Sequence, residues 1–223
     1  MSYNKIKQAM KRDSVQTALM IGIIVLVVFA LWFGSQAVLG TDYPALAVAS
    51  GSMCQVQHMN CDGYSHPFDP TLHIGDLIII KGINPSDINA SQYPNGDIII
   101  FHRPKGSSSV ADDLIVHRAI EKVVHNGLVY FKTKGDGNYG ADNWGNDYRG
   151  ENYTLNGMIS EKMVVGKVIM RIPWLGHLAL FMRNSIGVYV IIVVVIILII
   201  VEFAVPAFKK KPINTETPSE SSN

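Results

Sequence analysis

Three short segments of this chain carry the residue types that acyl transfer needs: a hydroxyl, an imidazole and a carboxylate. The first is Ser50-Gly51-Ser52-Met53. A serine hydroxyl becomes a nucleophile only when a base takes its proton. Gly51 allows close backbone approach, and Ser50 can turn a second hydroxyl towards the same point. Taken alone, the tetrapeptide is an ordinary polar turn. The second segment is Leu114-Ile115-Val116-His117-Arg118. Strand alternation puts Ile115 and His117 on one face, and an imidazole titrating near neutrality suits a general base. Any one of the seven histidines is, on its own, more simply a surface or core residue. The third is Lys134-Gly135-Asp136-Gly137-Asn138, continued by Ala141-Asp142-Asn143. Its carboxylates can orient an imidazole, or can bond their own backbone, as loop aspartates do. A calcium loop is disfavoured because the glutamate of the EF-hand twelfth position is missing.

These segments need a platform, and the composition describes one. The chain has 223 residues, 48% hydrophobic and 17% charged, with a formal net charge of +1. That is poor in charge for a soluble domain and excludes a long disordered protein, a coiled coil and a collagen-like chain. No basic stripe points to nucleic acid. Two cysteines exclude a disulfide-dense scaffold. No charged residue lies between Asp13 and Asp42, nor between Arg183 and Glu202. Both runs reach the ~20 apolar residues that cross a bilayer as a helix. The first exceeds a cleaved signal peptide's apolar core, which favours an uncleaved anchor. The expected organisation is a basic cytoplasmic terminus over 1–16, a transmembrane helix over 17–39 and an extracytoplasmic domain over 40–183. A second transmembrane helix follows over 184–206, then a basic, polar, disordered tail over 207–223. Lys5, Lys7, Lys11 and Arg12 before the first run, and Lys209, Lys210 and Lys211 after the second, place both termini in the cytoplasm.

The middle segment reads as mainly β. Short β-branched or aromatic runs at 77–80, 98–101, 114–116, 128–131 and 164–169 are separated by turn residues, of which Asn126-Gly127 is the strongest hairpin signal. An antiparallel sheet or small barrel is expected, not alternating βαβ units. Gly75-Asp76 and Gly96-Asp97 each precede an Ile-rich run, two similar entries from turn to strand. The stretch 172–181, with Trp174, suits the membrane interface. Asn89 and Asn152 open glycosylation-type sequons.

In the order Ser, His, Asp, on the outer face of an anchored β domain, the segments form a specific set. The sequence resembles signal peptidase I in its archaeal and endoplasmic-reticulum form, over about residues 45–181. Ser50-Gly51-Ser52-Met53 matches the nucleophile box and Gly75-Asp76-Leu77 the Gly-Asp-strand box. Val116-His117-Arg118 matches the box where that form has His and the bacterial form Lys. Lys134-Gly135-Asp136 matches the acidic box, with Gly137 in place of its first Asn. Asp142 falls where that group carries its triad carboxylate, and Val164-Val165-Gly166 through Pro173 matches the last strand. The resemblance implies a serine endopeptidase that removes signal peptides from exported preproteins after small residues. By the same carry-over, Ser52 is the nucleophile, His117 the base and Asp142 the orienting carboxylate. The Ser52 N–H and the Ser50 hydroxyl would hold the oxyanion. Asp136 would be a supporting or loop-fixing carboxylate, accepting backbone N–H groups of Gly137 and Asn138. Asp147 is a less well placed candidate.

One departure from the family is an insertion at about 54–74, between the nucleophile box and Gly75. It contains Cys54, Cys61, His58, His66 and His73. Cys54 and Cys61 are near enough in sequence to pair, and an extracytoplasmic location permits a disulfide. A metal site is the competing reading, against which the cysteine spacing is wide for zinc. The expectation is a disulfide, no metal and no cofactor. The expected partners are signal peptides, the lipid bilayer and the protein translocation channel. The expected location is the plasma membrane, multi-pass, or the endoplasmic-reticulum membrane in a eukaryote. Two other readings stand beside this one: a related Ser/Lys protease, and a catalytically silent membrane-anchored binding or assembly module of the same fold.

Overall fold

The computed structural model describes residues 3–54, 70–104, 114–145 and 154–208. The chain divides into two compact units, Met1–His177 and Leu178–Asn223.

The first unit opens with helix α1, Tyr3–Leu39, whose stretch Leu19–Leu39 is apolar and long enough to cross a membrane. This fits a membrane anchor, as expected for residues 17–39. The helix stops at Gly40, which takes the left-handed conformation (φ +62°) of a helix C-terminal cap. The Gly82 N–H then caps the Leu39 carbonyl at 2.8 Å. A side chain at Gly82 would strike the Gly40 carbonyl, so only glycine permits this approach.

Eight strands follow, all paired antiparallel: β1 Ala45–Ala47, β2 Leu77–Lys81, β3 Ile98–His102, β4 Leu114–His125, β5 Leu128–Lys134, β6 Thr154–Leu155, β7 Met158–Ser160 and β8 Val164–Ile172. Their order is β1-β2-β8-β3-β4-β5-β7-β6. Of the two expected forms, sheet or small barrel, the described strands make the sheet, with β1 and β6 at its ends. The five strands expected from apolar runs are all present. The short strands β1, β6 and β7 were not expected, because runs of two or three residues carry no periodicity to read. β4 is much longer than its apolar run: residues 121–125 are exposed, and they pair with β5 in an arm turned by Asn126 (φ 51°) and Gly127 (φ 78°). Positive φ at both turn residues is what an Asn-Gly hairpin requires.

Strand alternation gives this sheet two cores. Ile99, Phe101 and Ile115 pack with Phe131, Ile159 and Met163. Ile100 packs instead with Ile78, Ile80, Leu72, Val48 and Met53. The repeated Gly-Asp entries have a shared structural reason. Asp76 and Asp97 each accept a backbone N–H from the preceding loop, from His73 (2.8 Å) and Asn89 (2.9 Å). Each also faces a cation of β8, Arg171 at 3.5 Å and Lys167 at 3.2 Å, since β8 lies between β2 and β3.

Residues of the second unit form the end of helix α2, Leu175–Arg183, and helix α3, Ser185–Phe208. The expected second span falls here. Among the described residues only Leu19–Leu39 qualifies as a span in one helix; Leu175–Arg183 and Ser185–Ile197 qualify together, as a pair with a break.

Candidate active site

Ser52 sits in a single turn of 3-10 helix, Gly51–Met53, closed by the Cys54 N–H on the Gly51 carbonyl at 3.0 Å. Two anchors fix this turn. Met53 is buried in the second core. From the other side the Gly137 N–H donates to the Ser52 carbonyl at 2.9 Å. The loop after β5 can come this close only because it carries glycines. A Cβ on Gly137 would lie 2.0 Å from the Cys54 carbonyl oxygen, and one on Gly135 would lie 2.4 Å from that of Ser52. The replacement of Asn by Gly137 noted in the sequence thus belongs to this contact.

His117 is on β4, paired with Ile99 of β3, and is 7% exposed. Phe101 meets its ring edge-on at 6.4 Å. The imidazole Nε2 is 3.2 Å from Ser52 Oγ, and Nδ1 is 2.6 Å from Asp142 Oδ2. These partners select a tautomer. A carboxylate only accepts, so Nδ1 carries the proton and Nε2 presents a lone pair to the serine hydroxyl. That is the state a general base needs. Ser50 Oγ lies 3.3 Å from Ser52 Oγ, which brings the second expected hydroxyl to the same site.

Asp142 is held by its own residue neighbours. Its N–H donates to the Thr133 carbonyl at 2.8 Å, and its Oδ2 accepts the Thr133 hydroxyl at 2.7 Å. Trp144 Nε1 donates to the same hydroxyl oxygen at 3.0 Å. Thr133 and Trp144 have no place in the sequence reading. Alternation along β5 puts Thr133 on the face of buried Phe131, a signal that only a known sheet face makes useful.

Asp136 supports the loop through other bonds than those expected. The backbone N–H groups of Gly137 and Asn138 go to the Ser52 and Gly135 carbonyls, not to its carboxylate. The carboxylate instead receives Arg118 as a fork, Nε to Oδ1 at 2.8 Å and a terminal nitrogen to Oδ2 at 2.5 Å. The two side chains are 3% and 2% exposed. The Thr71 hydroxyl donates to Oδ2 at 2.7 Å and also lies against the Met53 carbonyl. Arg118 further donates to the carbonyls of Pro70, Pro94 and Gly96 and covers the Tyr93 ring. Asp136 is therefore the anion at the centre of a buried joint, tying the end of the 54–74 segment and the 93–96 turn to the strand that carries His117. Arg118 is next to His117 in sequence, and alternation sends it to the opposite face of β4.

Cys54 is buried and disulfide-bonded. Cys61, Asp147, His58, His66, Asn152 and most of the insertion lie outside the described residues. Asn89 is exposed, with its side-chain amide donating to the Asn95 carbonyl. Among the described residues no cluster of His, Cys, Asp and Glu could hold a metal ion.

No family model matches the chain. It is 29% identical over 185 residues, 82% of this chain and 79% of the relative, to the signal peptidase complex catalytic subunit SEC11C of Homo sapiens. The SEC11C protein of Mus musculus is 28% identical over the same shares. The signal peptidase complex catalytic subunit SEC11 of Schizophyllum commune is 27% identical over 163 residues, 69% of this chain and 72% of its own length. These similarities, over 69% to 82% of the chain, are to catalytic subunits of the signal peptidase complex, the endoplasmic-reticulum form that the sequence motifs resemble.

Proposed function

We propose that this protein is a membrane-bound signal peptidase, a serine endopeptidase that removes N-terminal signal peptides from preproteins. The observation that carries the reading is the line from Ser52 Oγ through His117 to Asp142, with contacts of 3.2 and 2.6 Å. Ser52 attacks the scissile carbonyl while His117 Nε2 takes its proton. Asp142 stabilises the imidazolium, and His117 then protonates the leaving amine. The Ser52 N–H and the Ser50 hydroxyl hold the oxyanion; each such donor contributes on the order of 10²–10³ in rate. Apolar walls around residues 45–49 favour small residues before the cut bond.

Location supports the same reading. Few residues separate the end of α1 from Ser52, so the site lies just outside the bilayer, where a signal peptide presents its cleavage site. The run over 184–206 returns the chain to the cytoplasm, making the protein multi-pass in a plasma or endoplasmic-reticulum membrane. Precursors reach it from the translocation channel, and Cys54 pairs with Cys61 to clamp the insertion beside the nucleophile. The silent-module reading has little in its favour, since a module would not need a base aligned between hydroxyl and carboxylate.

The test is incubation of the purified protein in detergent with a synthetic signal-peptide substrate, with the cut site read by mass. Cleavage by the wild type and none by Ser52→Ala is expected. Unchanged cleavage by Ser52→Ala would remove the mechanism; no cleavage of any signal peptide by the wild type would remove the function.

A further inference from the structure

Thr133 and Trp144 touch no atom that reacts, yet their bonds run in one direction. An indole N–H can only donate, so Trp144 Nε1 occupies a lone pair of the Thr133 hydroxyl oxygen (3.0 Å). The one hydroxyl proton is then committed to Asp142 Oδ2 (2.7 Å). That same oxygen receives His117 Nδ1–H at 2.6 Å. Two donors converging on one oxygen fix the rotation of a carboxylate that lies on a loop. Thr133 is fully buried, and its carbonyl also holds the Asp142 N–H. The Trp144 ring meets Phe101 edge-on at 5.8 Å, and Phe101 meets His117 edge-on at 6.4 Å. Carboxylate and imidazole are thus braced from one residue pair, by hydrogen bonds on one side and rings on the other. The Trp144 backbone N–H donates to the Gly157 carbonyl at 3.3 Å, which ties the brace to the β6–β7 turn.

We propose that Thr133 and Trp144 are positioning residues, a donor relay that locks the Asp142 carboxylate against His117 so that Nε2 stays aimed at Ser52. The proposal rests on the Ser52–His117–Asp142 reading above.

The test exploits the asymmetry of hydrogen bonds: an orphaned partner costs stability, whereas removing both partners costs little. Thr133→Val strands the Trp144 N–H and should lower both melting temperature and kcat. The fall in kcat should be about ten- to a hundredfold, the size of one hydrogen bond to a charged group, with KM unchanged. Thr133→Ser, which keeps the donor, should retain most activity. The double variant Thr133→Val/Trp144→Phe should recover melting temperature but not kcat. Recovery of kcat along with melting would overturn the proposal, because Thr133 would then matter for stability alone. A substrate-free readout separates this failure from that of the proposed function. The far-downfield proton resonance of His117 Nδ1, followed by NMR on the full chain in detergent, should move in Thr133→Val and not in Thr133→Ser. If it moves so while no signal peptide is cleaved by the wild type, the relay stands and the substrate reading falls. If it does not move in Thr133→Val, the relay falls.

Discussion

Asp136 and Asp142 leave the same loop and end in opposite kinds of place. Asp136 meets Arg118, a cation that does not give up its proton in proteins, and fills its remaining capacity with the Thr71 hydroxyl. Its side-chain partners among the described residues are Arg118 and Thr71, so its charge serves to hold segments together. Asp142 meets an imidazole whose other nitrogen touches a serine hydroxyl. The same functional group becomes a structural joint in one setting and part of a proton path in the other. The partner decides, and the partner comes from a different strand face: Arg118 and His117 are adjacent on β4 and point opposite ways.

The contrast is most exposed to a pair of isosteric changes. Asp142→Asn should cleave about 10²–10⁴-fold more slowly, on the precedent of triad carboxylates, while melting like the wild type. Asp136→Asn should do the reverse, lowering stability by about 3–5 kcal/mol because Arg118 stays buried without its countercharge. Turnover per folded molecule should fall less. Measuring kcat and thermal melting for both in detergent decides the matter; a stable Asp136→Asn with lost kcat, beside a fully active Asp142→Asn, would exchange their roles.

Between the two carboxylates stands Gly137, whose missing side chain lets the loop reach the nucleophile turn. Gly137→Ala should cost about 1–3 kcal/mol as an overpacked contact and lower kcat as well, since the displaced backbone is the one bonded to Ser52. Wild-type melting and turnover in this variant would show that the loop yields without moving the serine.

The smallest effect is expected at another buried carboxylate, Asp76. Loss of hydration on burial raises its pKa above 3.8, opposed by the His73 backbone N–H and by the charge of Arg171. Its cation lies at 3.5 Å rather than in a fork. A carboxyl with a raised folded pKa contributes stability that is fullest below the unfolded value and fades as pH rises through the folded one. Acidifying from about pH 7 to about pH 4 should therefore improve the wild type relative to Asp76→Asn, read as the difference in melting temperature. A gap that moves the other way would mean that the charge of Arg171 outweighs the loss of hydration at Asp76.

Much of the site was legible because its signals are local. Ser50-Gly51-Ser52, a histidine on an inward strand face and a Gly/Asp loop after a strand are local patterns, ordinary singly and specific only as a set, whereas the Asn126-Gly127 turn can be read alone. That Asp136 bonds other partners than expected has a physical cause. Loop aspartates commonly bond the N–H groups just beyond them, and nothing near it in sequence announces that Gly137 and Asn138 spend theirs on carbonyls. Arg118, Thr71, Thr133 and Trp144 escaped for the same reason, since each acts on a residue from another element or another turn of the loop.

The sequence by itself determined the charge-free run that forms α1, the strand-bounding turns and the residue types of the reactive set, because hydrophobic periodicity and turn chemistry are properties of short stretches. Residue type and spacing left Asp136 and Asp142 both open to the imidazole; the family resemblance favoured Asp142, and the tertiary structure sets that carboxylate against the ring. That choice depends on strand register: β3 set against β4 by Ile99 opposite His117, and β4 against β5 by Ala119 opposite Thr133. A shift of one residue in either ladder reverses the face of every side chain it carries.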